Sequence, residues 1–286
     1  MSRRPRLKYP GAVYHVMARG NRKAIIFHDD DDRSMFLEVI AKAVAVYVIR
    51  IMAFCLMPNH YHLILETPDA NLSEAMQFIN GVFAQRSNRR HGLTGHAFEG
   101  RFRSLVIQRD SYLMRAARYV VRNPVRAGLA DDAACWPWSS YRATAGLADL
   151  PPWLDLDWMR LAFDVDSNEA ARRQYVSYVN APADRHTDID LNATILGSKR
   201  FATRVLETLH AEHLQHGHRR QARPSLAELF SGGGSPVVRD RLIYVARVEH
   251  GYQLAAIARF LDIDRSTASK AASRGEESTA PVAISE

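Results

Sequence analysis

Two apolar runs, residues 48–56 (VIRIMAFCL) and 60–66 (HYHLILE), stand on either side of Met57-Pro58-Asn59, a turn signal. Both are rich in branched and aromatic residues, so the stretch predicts two strands joined by a tight reversal. The flanking segments constrain what such a pair can belong to. Residues 12–19 (AVYHVMAR) alternate loosely and predict a strand. After Asp29–Asp32, apolar residues recur at Met35, Phe36, Val39, Ile40, Ala43 and Val44, a helical stripe begun at an Asp cap. Asn71 and Glu74 form a capping pair for a second helix through Leu72, Ala75, Met76, Ile79, Val82 and Phe83. Residues 98–108 (FEGRFRSLVIQ) predict another strand, and Asp110 caps a third helix over 111–122. The order strand, helix, strand, strand, helix, strand, helix places two βαβ-like halves around a hairpin. The expected fold is α+β, a ferredoxin-like sandwich whose antiparallel-containing sheet carries its helices on one face.

Beyond this core the chain changes character. Residues 129–150 are loop-rich, and the tryptophans of CWPWSSY are expected to pack onto the first domain. Residues 153–180 read as helical, and a compositional break at 213–236 ends in Gly232-Gly233-Gly234. Helices follow at 237–249, 253–260 and 265–274. The expected domains are 1–146, a helical extension over 147–190, and an all-α region over 191–286 with helix-turn-helix character at 237–275. There Ala255, Ile257, Ala258 and Leu261 would pack, while Arg265, Ser266, Thr267, Ser269 and Lys270 would face a groove in duplex DNA. Asp262 stands at the turn, where glycine is commoner, and a plain helical cap is the alternative.

Charge points to a polyanion. Lys and Arg number 38 against 31 Asp and Glu, a net +7. The first 28 residues hold seven bases, among them Arg3, Arg4, Arg6 and Lys8, and no acid. A second group runs Arg86, Arg89, Arg90, Arg101 and Arg103, and a third Arg115, Arg118, Arg122 and Arg126. Nucleic acid is the simplest partner, with a solvated basic face as the alternative. No apolar stretch approaches the roughly 18 residues of a membrane span, and no apolar core follows the basic N-terminus as in a secretory signal. Two cysteines, Cys55 and Cys135, make no disulfide framework. A cytoplasmic, nucleoid-associated protein with no membrane partner is expected.

Three residues carry candidate chemistry. His60 and His62 alternate on one strand and so project from one face, placed to share a divalent metal or to hydrogen-bond within the sheet. On the third helix Leu113, Ala117, Val120 and Val121 cluster, with Arg115, Arg118 and Arg122 opposite and Tyr119 at the border. Those guanidinium groups would favour phenolate, which a nucleophile needs; a boundary tyrosine with a wet hydroxyl is the alternative.

The runs MPNHYHLIL, GHAFEGRFRS, RYVVRNPVRAGL and WPWSSY, in this order within residues 8–146, resemble the REP-associated tyrosine transposases. These are single-tyrosine members of the HUH endonuclease superfamily, with the insertion-sequence 200-like transposase domain. The resemblance implies that His60 and His62 bind metal, Mg²⁺ or Mn²⁺, with Tyr61 as the hydrophobic residue between them. It implies that Asn123 completes that site and that Tyr119 is the nucleophile. The implied reaction cuts single-stranded, hairpin-folded DNA, leaving a 5′-phosphotyrosine and a 3′-OH that can rejoin DNA. Asn123 precedes Pro124, so the helix is expected to end near Arg122, which would turn Asn123 away from Tyr119. A sequence-specific regulatory DNA-binding protein without turnover, and a nuclease in which water attacks, are the competing readings. Monomer and homodimer both remain open.

Overall fold

The computed structural model describes residues 6–182, 189–191, 193–209, 224–231, 235–248, 250 and 252–277, with Arg3 and Arg4 outside them. The chain divides into two compact units, residues 1–206 and 207–286.

The first unit is built on β1 (Ala12–Arg19), α1 (Asp30–Tyr47), β2 (Arg50–Met57), β3 (His60–Thr67), α2 (Leu72–His91), β4 (Arg103–Ile107) and α3 (Arg109–Val121). A short β5 (Ile195–Leu196) completes a mixed α/β arrangement whose sheet runs β2-β3-β1-β4-β5. Each neighbouring pair among the first four strands is antiparallel, the order two interleaved βαβ units produce, and β5 joins β4 in parallel. Met57 pairs with His60, so Pro58 and Asn59 alone form the turn.

Local chemistry sets most boundaries. Asp29 caps α1 by accepting the Asp32 N–H at 3.0 Å, and Asp30, Asp31 and Asp32 suit the positive end of the helix. Asn71 does not cap α2 with its side chain; its amide donates to Tyr47 O at 2.8 Å, tying the start of α2 to the end of α1. Gln108, with no side-chain cap, precedes α3, so the helix starts earlier than an Asp110 cap would allow. The strand expected over 98–108 is shorter: Gly20 and Phe98 form only an isolated bridge, and regular pairing begins at Arg103.

The sheet is covered on both faces, not one. Strand alternation sends Tyr61 toward α1 and α2, where its ring meets Phe36 at 4.7 Å and its hydroxyl donates to Asn80 at 2.6 Å. The same alternation sends His60 and His62 to the opposite face, where α3 lies and His62 meets Tyr119. The β2 edge is closed by 136–140: Leu56 N donates to Trp138 O, Ser140 N to Phe54 O, and Trp136 Nε1 to Leu56 O. The tryptophans therefore pack where expected. Helices α4 (Asn123–Arg126), α5 (Tyr141–Ala145), α6 (Asp157–Phe163) and α7 (Asn168–Asn180) follow in this unit. Trp158, Tyr175 and Val179 of the last two join the same buried core as the sheet.

Residues 199–209 are helical (α8). The second unit holds α9 (Leu226–Leu229), α10 (Pro236–Val248), α11 (Leu254–Phe260) and α12 (Arg265–Glu277). Their core is Leu229, Ile243, Ala246, Ile257, Ala271 and Ala272. Ala255, expected to pack, is exposed, and Leu254 lies against the core instead. Asp262 adopts φ 52° between α11 and α12, a left-handed turn made without glycine. Asp264 caps α12 and accepts from Ser266 Oγ and Thr267 Oγ1 at 2.6 Å each, so these hydroxyls serve the cap. Gly275 is required sterically: a Cβ there would lie 2.1 Å from Asp240 O on α10.

Candidate functional site

Helix α3 lies across the sheet antiparallel to β3. At its start Arg109 holds the buried Glu66 carboxylate with two bonds of 2.9 and 3.1 Å. Ten residues later, about 15 Å of helix, Tyr119 reaches His62, four residues or about 13 Å back along β3. The match of these lengths brings the tyrosine to the histidines. A cavity of about 380 Å³ opens there, lined among others by His60, His62, Tyr119, Asn123, Arg19, Arg101 and Arg103.

The His60 and His62 rings lie 5.0 Å apart, and His62 lies 6.0 Å from the Tyr119 ring. Behind them stands His15 of β1, which sequence reasoning missed. Its Nε2 is 2.8 Å from His62 Nδ1, and its ring is 5.9 Å from Tyr119. Burial lowers His15 to about 3 and, helped by Arg19, His60 to about 4. Burial, then His15, His60 and Arg19, pushes His62 well below the ordinary imidazole value. All three rings are therefore neutral near pH 7, the protonation state a metal ligand needs.

Hydrogen bonding selects the tautomer of His60. Asn59 donates its amide N–H to Lys23 O at 3.0 Å, so its Oδ1 is the acceptor facing His60 Nδ1 at 2.7 Å. His60 Nδ1 must carry the hydrogen, which leaves a lone pair on Nε2. His62 is ligand-competent when its own Nδ1 donates to His15. His15 Nδ1 is buried without a partner, so that tautomer leaves an unsatisfied N–H there. A cation at His62 Nε2 would favour it nonetheless, and two neutral imidazoles with an amide oxygen suit a divalent ion.

Asn123 is not turned away from Tyr119. α3 ends at Val121, as expected near Arg122, but Arg122 (φ −91°, ψ 1°) sits in the bridge region rather than turning extended, and α4 resumes at Asn123. The Asn123 amide N–H donates back to Tyr119 O at 3.0 Å, leaving its oxygen as the acceptor. We expect Asn123→Ala to raise the metal concentration for half-maximal cleavage about tenfold or more, on the scale of outer-shell losses. An unchanged metal titration would leave Asn123 a helix-linking residue only.

The arginines expected around Tyr119 do other work. Arg118 is buried and donates to the carbonyls of Ala181 and Pro182, and Arg122 donates to Val179 O at 2.8 Å. They satisfy carbonyls at the end of α7, a helix the sequence placed but did not position. Arg115 lies over the Tyr112 ring at 5.0 Å. The guanidinium over Tyr119 is that of Arg126, 4.9 Å from the ring centre. Arg118→Met is expected to destabilise the fold by about 1–3 kcal/mol in chemical unfolding, because buried carbonyls lose their donor. A variant of full stability but lower DNA affinity would return Arg118 to the interface.

Among the other expected DNA contacts, Arg101 and Arg103 line the cavity, and Arg89, Arg265 and Lys270 are exposed. Arg6 is stacked 3.8 Å over Phe102 and bonded to its carbonyl. Lys8 and Arg86 make long ion pairs with Glu74 (3.8 Å) and Glu38 (3.7 Å). These are weak enough to yield to phosphate. Arg90 is committed to Asp29, Asp31 and Asp32.

Residues 8–123 match the family described as IS200-like transposase. A protein of Haemophilus influenzae named as a REP-associated tyrosine transposase is 26% identical over 106 residues, 33% of this chain and 60% of that one. The match thus spans under two thirds of the relative's length. A solved REP-associated tyrosine transposase bound to a REP hairpin is 22% identical, covering 55% of this chain and 96% of the other at a TM-score of 0.45. A transposase-assigned chain of Deinococcus radiodurans is 14% identical, covering 45% and 92% at a TM-score of 0.31. No described helix is long and apolar enough to cross a membrane. Residues 8–123 are thus similar to the IS200-like transposase family, and within them to a REP-associated tyrosine transposase.

Proposed function

We propose that this protein cleaves and rejoins single-stranded hairpin DNA, with Tyr119 as nucleophile and a divalent metal held by His60, His62 and Asn123. The convergence of these four residues on one cavity, from β3, α3 and α4, carries the reading. The Tyr119 oxygen attacks the scissile phosphorus, the bond to the 3′-oxygen breaks, and the proton lost by tyrosine is balanced by one gained at the 3′-OH. The phosphodiester energy stays in the tyrosyl ester, so a 3′-OH can reverse the step without a nucleotide cofactor. A bound metal supplies Lewis acidity toward a non-bridging phosphate oxygen. Arg19, Arg101 and Arg103 give the cavity the positive charge that draws a phosphate in. The HUH architecture is assigned to 1–146, with 147–190 as an extension. In 191–286, α11 and α12 act as a helix-turn-helix whose exposed Arg265 and Lys270 add affinity for duplex DNA. The protein acts at the nucleoid, in the cytoplasm.

Incubation with an end-labelled hairpin and a denaturing gel test this directly. A 3′-labelled strand is expected to become protein-linked, while a 5′ label is released. Cleavage without any protein-linked strand would favour attack by water, and binding without cleavage a regulatory protein.

A further inference from the structure

On the opposite side of the sheet from Tyr119, the start of α1 and the end of α2 bring together His28, Asp32 and His91. We propose that these three residues form a second cation site, for a divalent transition metal of the Zn²⁺ type. One ligand atom from each lies within 4.8 Å of the others. The Asp32 carboxylate is fully buried, and His91 Nε2 stands 2.9 Å from both of its oxygens. A bare Nε2 lone pair would be repelled by these oxygens, so His91 Nε2 either carries a hydrogen or faces a cation there, with Arg90 Nη1 beside it at 3.3 Å from Nε2 and 2.8 Å from Asp32 Oδ1. The His28 and His91 rings lie 4.3 Å apart, tilted by 40°. Two imidazolium rings at that distance would repel each other, whereas two neutral rings can share one cation.

The surrounding charge favours this. Asp29, Asp31 and Asp32 surround the single guanidinium of Arg90, at 2.7 to 2.9 Å, which leaves net negative charge at the site. Asp29 is held down to about 2, first by its bond to Arg90, and so stays ionised. His91 sits at the C-terminal end of α2, whose negative end offsets the positive start of α1 beside Asp32. Tetrahedral zinc, with bonds near 2.0 Å, needs ligand atoms roughly 3.3 Å apart. The ligand atoms all lie within 4.8 Å of one another, so reaching that spacing takes a small rotation of the exposed His28 side chain and a slight opening of the 2.9 Å Asp32–His91 contact. Arg90 keeps its bonds to Asp29 and Asp31, and Asp32 keeps the His28 N–H at 2.8 Å. Two imidazoles and one carboxylate suit Zn²⁺, Ni²⁺ or Co²⁺ better than Mg²⁺, which prefers an all-oxygen shell.

The site would clamp residues 59 apart in sequence, His91 and Asp32. It would also brace the segment that ends at His28. That segment gives Ile26 N and Phe27 N to Pro58 O and Lys23 O to Asn59, the residue that sets the His60 tautomer. The two sites would thus be mechanically linked through the β2–β3 turn.

Metal titration of the full chain tests this without any cleavage assay. In a His60→Ala/His62→Ala background, Zn²⁺ is expected to bind with one equivalent. At a hundredfold excess over the dissociation constant it should raise the melting temperature by about 5–10 °C. Co²⁺ should give the visible absorption of a nitrogen–oxygen site. His28→Gln, which leaves the bond from the backbone N–H to Asp32 in place, should weaken binding at least tenfold while the metal-free melting temperature holds. If the background variant does not fold, the natural chain should bind two equivalents of Co²⁺ and the His28→Gln chain one. No stoichiometric binding, or binding indifferent to His28→Gln and His91→Gln, would overturn the proposal and leave an ion-pair network. Failure of the cleavage assay would bear on Tyr119 and not on this site.

Discussion

Tyr119→Phe is expected to eliminate the covalent protein–DNA adduct and to lower cleavage by about a thousandfold or more, the scale on which loss of a covalent nucleophile acts. The substitution removes one oxygen from a half-buried ring, so fold and hairpin affinity should hold within about twofold, since affinity rests on phosphate contacts made elsewhere. The competing residue is Tyr112, seven positions earlier and within about 20° on the helix. Sequence alone separates them only by neighbours: an acid at Asp110 beside one, arginines beside the other. Geometry separates them better. Tyr119 lines the cavity with both histidines, whereas Tyr112 does not and lies under Arg115. Tyr112→Phe should therefore keep the adduct. Mass spectrometry of the trapped species decides, because a nucleotide remnant on any other residue refutes the assignment.

Part of this site was legible because alternation carries it: it puts His60 and His62 on one face, as the structure has them. Asn123 was misjudged from its proline neighbour, since α4 resumes at once and keeps Asn123 bonded to Tyr119 O. What could not be read was which layer covers which face. α3 crosses the sheet opposite α1 and α2, and α7 then covers the arginine side of α3. That second contact turned Arg118 from an expected phosphate ligand into a buried donor to α7 carbonyls. Arg126, beyond the helix break, took the place over Tyr119. His15 illustrates the same limit. A histidine inside an apolar strand is a visible signal, but its meaning depends on the β1–β3 register, which pairs Met17 with His62 and sets His15 diagonally beside it. Long-range register has no local signature. The strand over 98–108 failed for a local reason: Gly100 interrupts it, and the resulting loop delivers Glu99 and Arg101 to the cavity rim.

His60→Ala is expected to reduce cleavage at least a hundredfold while leaving most hairpin binding intact, exceeding the 10–100-fold typical of residues that only support a ligand. His60 is the cleaner of the two histidines to change. Its Nδ1 bonds only to the neighbouring Asn59 side chain, so removal leaves one partly exposed amide to be met by water. His62→Ala should be equally inactive but less stable, by about 1–3 kcal/mol, because the buried Nε2 of His15 loses its partner. His15→Gln separates the two effects. It keeps a polar side chain behind His62 but no imidazole, so it should raise the metal requirement without abolishing turnover at saturating metal. Mn²⁺ should support the natural protein at least as well as Mg²⁺, since two of the three proposed ligands are nitrogen. The metal assignment stands on chelation: full cleavage in excess chelator, with Tyr119 still required, would leave the histidines as a hydrogen-bonded pair that merely orients the phosphate.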